Sequence, residues 1–329
     1  MAGLGGLVRA GLVALLVVLG GGGVSAAYAQ QGGEVPGGAS GSRSDSDLWR
    51  DIRRGEQGNV SLPDKRVGVL IQSEGDNWRA RRNGPVSVYG SWLLLAAVVG
   101  IALFFAMRGR IRIEEGPSGR QVLRFTFIER FGHWLTAVSF IVLALTGLNV
   151  LYGRYVQPPL IGQSAFAAVT LAGKYTHHFV AFAFMAGLAL IIVLWIRHNL
   201  PDRYDLGWIR DGGGLLRKGV HPPAGKFNFG QKVVFWGVVL GGLAVSATGL
   251  NLMFPFYADM QQMQWAQLIH AIAALLLTAL IIGHIYIGTL GMEGAIGAMV
   301  SGRVDENWAK EHHSAWIDDL HRRDTTPAE

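Results

Sequence analysis

The sequence contains no cysteine among its 329 residues. This absence excludes disulfide bonds within the chain, iron–sulfur clusters held by its own thiolates, and haem attached covalently through cysteine. Among side chains that commonly hold redox metals, the ten histidines therefore become the main candidates.

Charged residues are also scarce, because they make up 16% of the chain whereas half of it is hydrophobic. The stretch 265–290 has 26 residues and none that is charged at neutral pH. As a helix it would be about 39 Å long, enough to cross a hydrocarbon core of about 30 Å. Runs of this kind indicate an integral membrane protein. The net charge of +6 does not indicate nucleic-acid binding, since the basic residues cluster beside apolar runs.

The N-terminal 85 residues divide into two parts. Residues 1–29 combine Arg9, a short apolar run and small residues before Gln30, a pattern typical of a cleaved signal peptide. The alternative is an uncleaved first helix. Residues 30–85 are rich in Gly, Ser and Arg, which predicts an extended segment in the periplasm.

Five membrane spans are predicted after this segment. An extra N-terminal helix occupies 86–107 and is followed by arginines up to residue 112; four further spans lie at 131–151, 175–196, 233–254 and 265–290. The connection 197–232 carries seven Lys or Arg residues, whereas 255–264 carries none. The positive-inside rule therefore places residue 108, the 197–232 connection and the polar tail 293–329 in the cytoplasm.

Histidines occur at two depths in these spans. His270 and His284 are 14 residues apart in one predicted helix, so they share a face and lie about 21 Å apart along its axis. Depth matching pairs His284 with His133 near the cytoplasmic side, and His270 with His177 or His178 near the periplasmic side. Histidines that face each other across a helical bundle can bind haem iron from both axial positions. We therefore predict two haem sites.

Other interpretations of the same residues are weaker. A proton-relaying transporter would be expected to have carboxylates near mid-membrane, and the predicted spans place none there. Gly147 falls opposite a predicted haem, but glycines in the fourth span (237, 241, 242 and 249) are equally explained by helix packing. The remaining histidines fall in loops or the tail, where solvated or interfacial roles are expected: His198, His221, His312, His313 and His321.

Several stretches resemble the gamma subunit of membrane-bound respiratory formate dehydrogenase, a dihaem b-type cytochrome. They are FIERFGHW at 127–134, RHNLPD at 197–202, KFNFGQK at 226–232, the helix of His270 and His284, and WAKEHH at 308–313. The resemblance implies an all-α membrane protein, with a four-helix dihaem cytochrome b bundle at 120–292 and the helix at 86–112 as an addition.

The resemblance also implies functional residues and partners. The haem iron ligands would be His133, His177, His270 and His284, and Asn228 would contact menaquinone or ubiquinone, although Asn228 could equally cap a helix. The chain would carry electrons from a periplasmic iron–sulfur beta subunit through two haem b groups to quinone. Formate oxidation would take place on a molybdenum or tungsten alpha subunit, and the complex would lie in the bacterial inner membrane. The alternative is the cytochrome b subunit of a nickel–iron hydrogenase or another membrane oxidoreductase.

Overall fold

A computed structural model describes residues 53–54, 74–215, 217 and 219–325. The predicted signal peptide and most of the predicted periplasmic segment lie outside these residues. Where that segment is described, 74–81 forms a helix rather than extended chain. The elements run in the order α1 Glu74–Arg81, a π-helical turn Arg82–Val86, α2 Ser87–Arg108, β1 Gln121–Leu123, α3 Phe127–Trp195, α4 Asp205–Arg210, α5 Phe229–Met253, α6 Met260–Tyr286 with a π-helical end Ile287–Gly291, α7 Gly297–Val300, β2 Arg303–Asp305, α8 Glu306–His312 and α9 Ser314–Thr325. Short 3-10 turns span Ile196–Asn199, Gly212–Gly214 and Pro255–Tyr257.

Four helical segments in the described part of the chain are long and apolar enough to cross a membrane. One of them, α3, has 69 residues and folds back on itself. The chain turns at Gly162, whose φ of +80° lies in the region that favours glycine. The connection predicted at 152–174 is therefore wrong, because these residues continue the two helical arms, 127–161 and 163–195. With α2, α5 and α6, the arms make the five predicted crossings, and the prediction of an all-helical membrane bundle is confirmed.

Small residues bring the helices close together. A Cβ atom added at Gly187 would lie 2.6 Å from Thr136 Oγ1, at the contact between the two arms of α3. Cβ atoms at Gly237 and Gly241 would lie 2.5 Å from Leu280 and 2.7 Å from Leu277, where α5 packs on α6. Glycine is therefore required at these three positions by close helix approach.

The extra helix α2 packs directly against the bundle. Leu94 is fully buried, in a cluster with Leu151, Tyr152 and Leu275. The Tyr152 hydroxyl donates to the carbonyl oxygen of Ser87 over 2.9 Å, which ties the first arm of α3 to the start of α2. The helix is thus an integral part of the helical assembly.

One end of the bundle carries a folded unit built from distant segments. β1 pairs antiparallel with β2, although they are about 180 residues apart in sequence. The tail also packs here, with Trp308, His313 and Ile317 almost fully buried. The solvated or interfacial role predicted for His313 is wrong, because its ring is enclosed and its Nδ1 lies 2.8 Å from the carbonyl oxygen of Gly225.

Candidate functional site

His133 and His284 face each other at the end of the bundle that carries the folded unit. Their ring centroids are 6.1 Å apart, and the rings are inclined by 60°. The capping box formed by Thr126 and Glu129 starts the helix of His133, whose ring lies 6.4 Å from that of Trp195. The sequence pairing of His133 with His284 by depth therefore agrees with their positions in the structure.

His177 and His270 form an equivalent pair at the other end of the bundle. Their ring centroids are also 6.1 Å apart, and the rings are inclined by 58°. Depth matching alone allows either His177 or His178 at this level, and it is the ring of His177 that faces His270. Because His270 and His284 both belong to α6, one helix contributes a ring to each pair.

The spacing within each pair fits an iron atom between the rings. Two bonds of about 2 Å from iron to imidazole nitrogen, plus the distance from nitrogen to ring centre on each side, give a separation of roughly 6 Å. The observed separation is too long for stacking of two uncharged rings in direct contact, and the two pairs agree with each other. Paired neutral nitrogen donors in an apolar bundle are the donor set that holds haem iron from both sides.

Threonine hydroxyls support the His177/His270 pair. Thr146 Oγ1 lies 2.8 Å from His177 Nδ1, and Thr248 Oγ1 lies 3.0 Å from His270 Nδ1. Each hydroxyl already donates to a carbonyl one turn back in its own helix, that of Val142 or Ala244. Each threonine oxygen is therefore the acceptor, Nδ1 carries the proton, and Nε2 is the nitrogen left to bind a metal.

The sequence interpretation missed these threonines, although a signal for them exists. Thr146 and Thr248 each begin the tetrapeptide Thr-Gly-Leu-Asn, at 146–149 and 248–251. The glycines of the repeat make room for the imidazoles: a Cβ at Gly147 would lie 3.5 Å from His177 Cε1, and one at Gly249 would lie 3.3 Å from His270 Cε1. The repeat thus places the same hydroxyl and the same gap beside each ring.

Comparison with protein families identifies this arrangement. The family model described as prokaryotic cytochrome b561 matches residues 124–302, which include all four paired histidines. The chain belongs to the prokaryotic cytochrome b561 family. It is therefore a multi-pass membrane cytochrome b, which binds haem b and transfers electrons.

Similar proteins include subunits of formate dehydrogenases. The chain is 29% identical over 210 residues to the cytochrome b556(Fdn) subunit of the nitrate-inducible formate dehydrogenase of Escherichia coli K12, an alignment that covers 62% of this chain and 94% of the relative. It is 29% identical to the cytochrome b556(fdo) subunit of the same organism, covering 63% and 97%. It is 26% identical to the formate dehydrogenase cytochrome b556 subunit of Haemophilus influenzae, covering 61% and 84%.

Asn228 is the N-cap residue of α5. Its Oδ1 accepts a hydrogen bond from the backbone N–H of Gln231 over 3.0 Å, and Gln231 Oε1 accepts from the backbone N–H of Asn228 over 3.1 Å. The capping role that the sequence allows for this residue is therefore present. The side-chain Nδ2 group has no hydrogen-bond partner among the described residues, so it is available to donate to a ligand.

A buried arginine lies behind this cap. Arg124 Nη2 donates to the carbonyl oxygen of Lys226 over 2.7 Å and lies 3.4 Å from Gln231 Oε1. The guanidinium also contacts the rings of Phe125, Trp308 and Trp316. Burial lowers the pKa of Arg124 to about 9, so it remains charged near neutral pH. It joins the start of α5 to the folded C-terminal tail.

Proposed function

We propose that this chain is the dihaem cytochrome b subunit of a membrane-bound formate dehydrogenase. One observation carries the proposal: α6 contributes His270 to one histidine pair and His284 to another, with the same 6.1 Å ring separation in both. A haem held in this way supplies one-electron transfer. His133 and His284 would hold one haem b, and His177 and His270 the second.

The protein's part in this reaction is to fix two electron-transfer groups at separate depths. The ligands on α6 are separated by 14 residues, or about 21 Å along the axis. Because planar groups extend sideways from their ligands, the edges would be closer together than this. The apolar surroundings of both pairs exclude water and leave each imidazole neutral, as iron binding requires.

The direction of transfer follows from charge. The end of the bundle near His133 and His284 carries the basic connection 197–232, so the positive-inside rule favours the cytoplasm for that end. The His177/His270 pair would then lie toward the periplasm and receive electrons there. Because this chain has no cysteine, the donor clusters would belong to an iron–sulfur subunit, and formate oxidation to a molybdenum or tungsten subunit.

The acceptor would be menaquinone or ubiquinone at the cytoplasmic end. A quinone oxygen gains negative charge as it is reduced, and an amide N–H can stabilise that charge without the cost of burying a cation. The Nδ2 group of Asn228, at the start of α5, has no partner among the described residues and supports this residue as the donor. Its Oδ1 is held by the helix cap, which orients the amide.

Purification of the complex from bacterial inner membranes tests the assignment. A tag on this chain should bring down an iron–sulfur subunit and a molybdenum or tungsten subunit, and formate should reduce a b-type haem band in the preparation. Recovery of a nickel-containing subunit in their place would instead assign the chain to a hydrogenase.

A further inference from the structure

The two histidine pairs differ in how their Nδ1 atoms are held. In the His177/His270 pair each Nδ1 lies within 3.0 Å of a threonine oxygen. The backbones of Leu143 and Val245, three residues before the two threonines, also form hydrogen bonds with these rings. A carbonyl oxygen can only accept, which agrees with a protonated Nδ1 on both rings.

The His133/His284 pair has no such support among the described residues. Nδ1 of His133 is buried without a hydrogen-bond partner in that part of the chain. The surroundings of His284 likewise include no hydrogen-bonding group within the ranges that the structure describes. The two pairs have the same ring separation, but their outer nitrogens lie in different environments.

A hydrogen bond from Nδ1 changes the electronic character of an iron ligand. When Nδ1–H donates, electron density shifts toward Nε2 and the imidazole becomes a stronger base. A stronger base stabilises ferric iron, with its additional positive charge, more than ferrous iron, and the reduction potential falls. Two such bonds on opposite axial ligands act in the same direction.

We propose that Thr146 and Thr248 are positioning residues that orient His177 and His270 and lower the reduction potential of the haem they bind, below that of the haem bound by His133 and His284. This inference rests on the proposed two-haem function and adds a reason for its direction. Electrons that enter at the lower-potential level move downhill to the level where Asn228 lies. The Thr-Gly-Leu-Asn repeat thus supplies two matched supports, one for each axial histidine of this pair.

Optical redox titration of the complex in isolated membranes tests this inference. Thr146→Val and Thr248→Val remove one hydroxyl each and nearly preserve side-chain shape. Each should retain both haems and favour reduction of one of them severalfold, up to about tenfold in the ratio of reduced to oxidised haem at fixed ambient potential. A tenfold change corresponds to about 59 mV for a one-electron couple. Thr146→Ser and Thr248→Ser keep the hydroxyl and should retain the wild-type potential.

Thr278→Val is the matched control. Its hydroxyl is also buried in the bundle and donates one turn back, to Ala274 over 2.7 Å, but it does not bond a histidine. This variant should leave both potentials unchanged. An equal shift in Thr278→Val, or no shift in either threonine-to-valine variant that retains two haems, would overturn the inference.

A second measurement does not depend on the valine variants. His284→Ala should retain only the haem of His177 and His270, and His270→Ala only the other, so each midpoint can be measured alone. The former should be the lower. Equal or reversed midpoints with one haem in each variant would overturn the inference while leaving the two-haem function intact, whereas a wild-type complex with fewer than two haems would overturn the function itself.

Discussion

The indole Nε1 of Trp195 donates to Oε1 of Glu129 over 3.0 Å, and so joins the last residue of α3 to its third. The same carboxylate oxygen accepts from Lys226 Nζ at 2.6 Å, and Oε2 accepts from the backbone N–H of Thr126 at 2.8 Å. One buried side chain therefore closes the α3 hairpin, caps its first arm and holds the segment before α5. His133 lies one turn further along the same face.

Glu129→Ala should destabilise this end of the bundle. The substitution leaves Lys226 and the Trp195 N–H without their acceptor, which should lower the free energy of unfolding by about 2–4 kcal/mol. Glu129→Gln keeps an acceptor for Trp195 and should cost clearly less. The measurement is the thermal midpoint in detergent. Asp319→Ala, which breaks the exposed pair with Arg322, is the control and should cost at most about 0.5 kcal/mol. Equal midpoints for Glu129→Ala and this control would contradict the role assigned to Glu129.

Asn228 combines a helix cap with an amide N–H that has no partner among the described residues, and two substitutions separate these roles. Asn228→Ala removes both, whereas Asn228→Ser keeps a capping oxygen but shortens the side chain. If the amide contacts quinone, both variants should retain two haems and accept electrons from formate, yet reoxidise about ten- to a hundredfold more slowly with a menaquinone analogue. Wild-type reoxidation in Asn228→Ser, with a defect only in Asn228→Ala, would show that the residue acts as a cap alone.

The folded unit at the end of the bundle should lose stability in acid. Burial lowers the pKa of His312 to about 4, with His221 and Arg124 adding to the effect and Glu114 opposing it. The unfolded residue, with a pKa near 6.5, binds a proton that the folded residue does not, so stability falls as pH decreases from about 6.5 to 4. Because a pKa difference of one corresponds to about 1.4 kcal/mol, the loss of stability amounts to about 3 kcal/mol.

His312→Gln provides the test of this pH dependence. The thermal midpoint of the wild-type protein should drop between pH 7 and pH 4.5, and the drop should be smaller in the variant because one titrating group is gone. Burial also holds the pKa of His313 well below its usual value, so part of the dependence should persist. An identical pH profile for both proteins would rule out His312 as a contributor.

The parts of the fold that depend on local pattern could be predicted from the sequence. The spans follow from uncharged apolar runs, and the placement of His270 and His284 on one face follows from helical periodicity. The turn at Gly162 does not follow in this way, because Pro158 and Pro159 suggest an irregular loop while the structure continues the helix through them. Proline at these positions is tolerated near the end of the arm, where few backbone bonds are lost.

Contacts between distant segments lie beyond sequence reasoning. The pairing of β1 with β2 and the burial of His313 depend on the tail returning to the bundle end, which no local pattern in 293–329 indicates. The hydrogen bonds of Thr146 and Thr248 depend on the rotation of neighbouring helices. Only the repeated Thr-Gly-Leu-Asn tetrapeptide could have pointed to them.

Haem content per polypeptide is the most direct test of the two histidine pairs. The purified wild-type protein should contain two haem b groups, and His270→Ala and His284→Ala should each contain one, because each variant removes one axial ligand from a different pair. His198→Ala, in an exposed turn after α3, should contain two. A wild-type protein without a reduced b-type absorption band, or either α6 variant with two bis-histidine haems, would contradict the account.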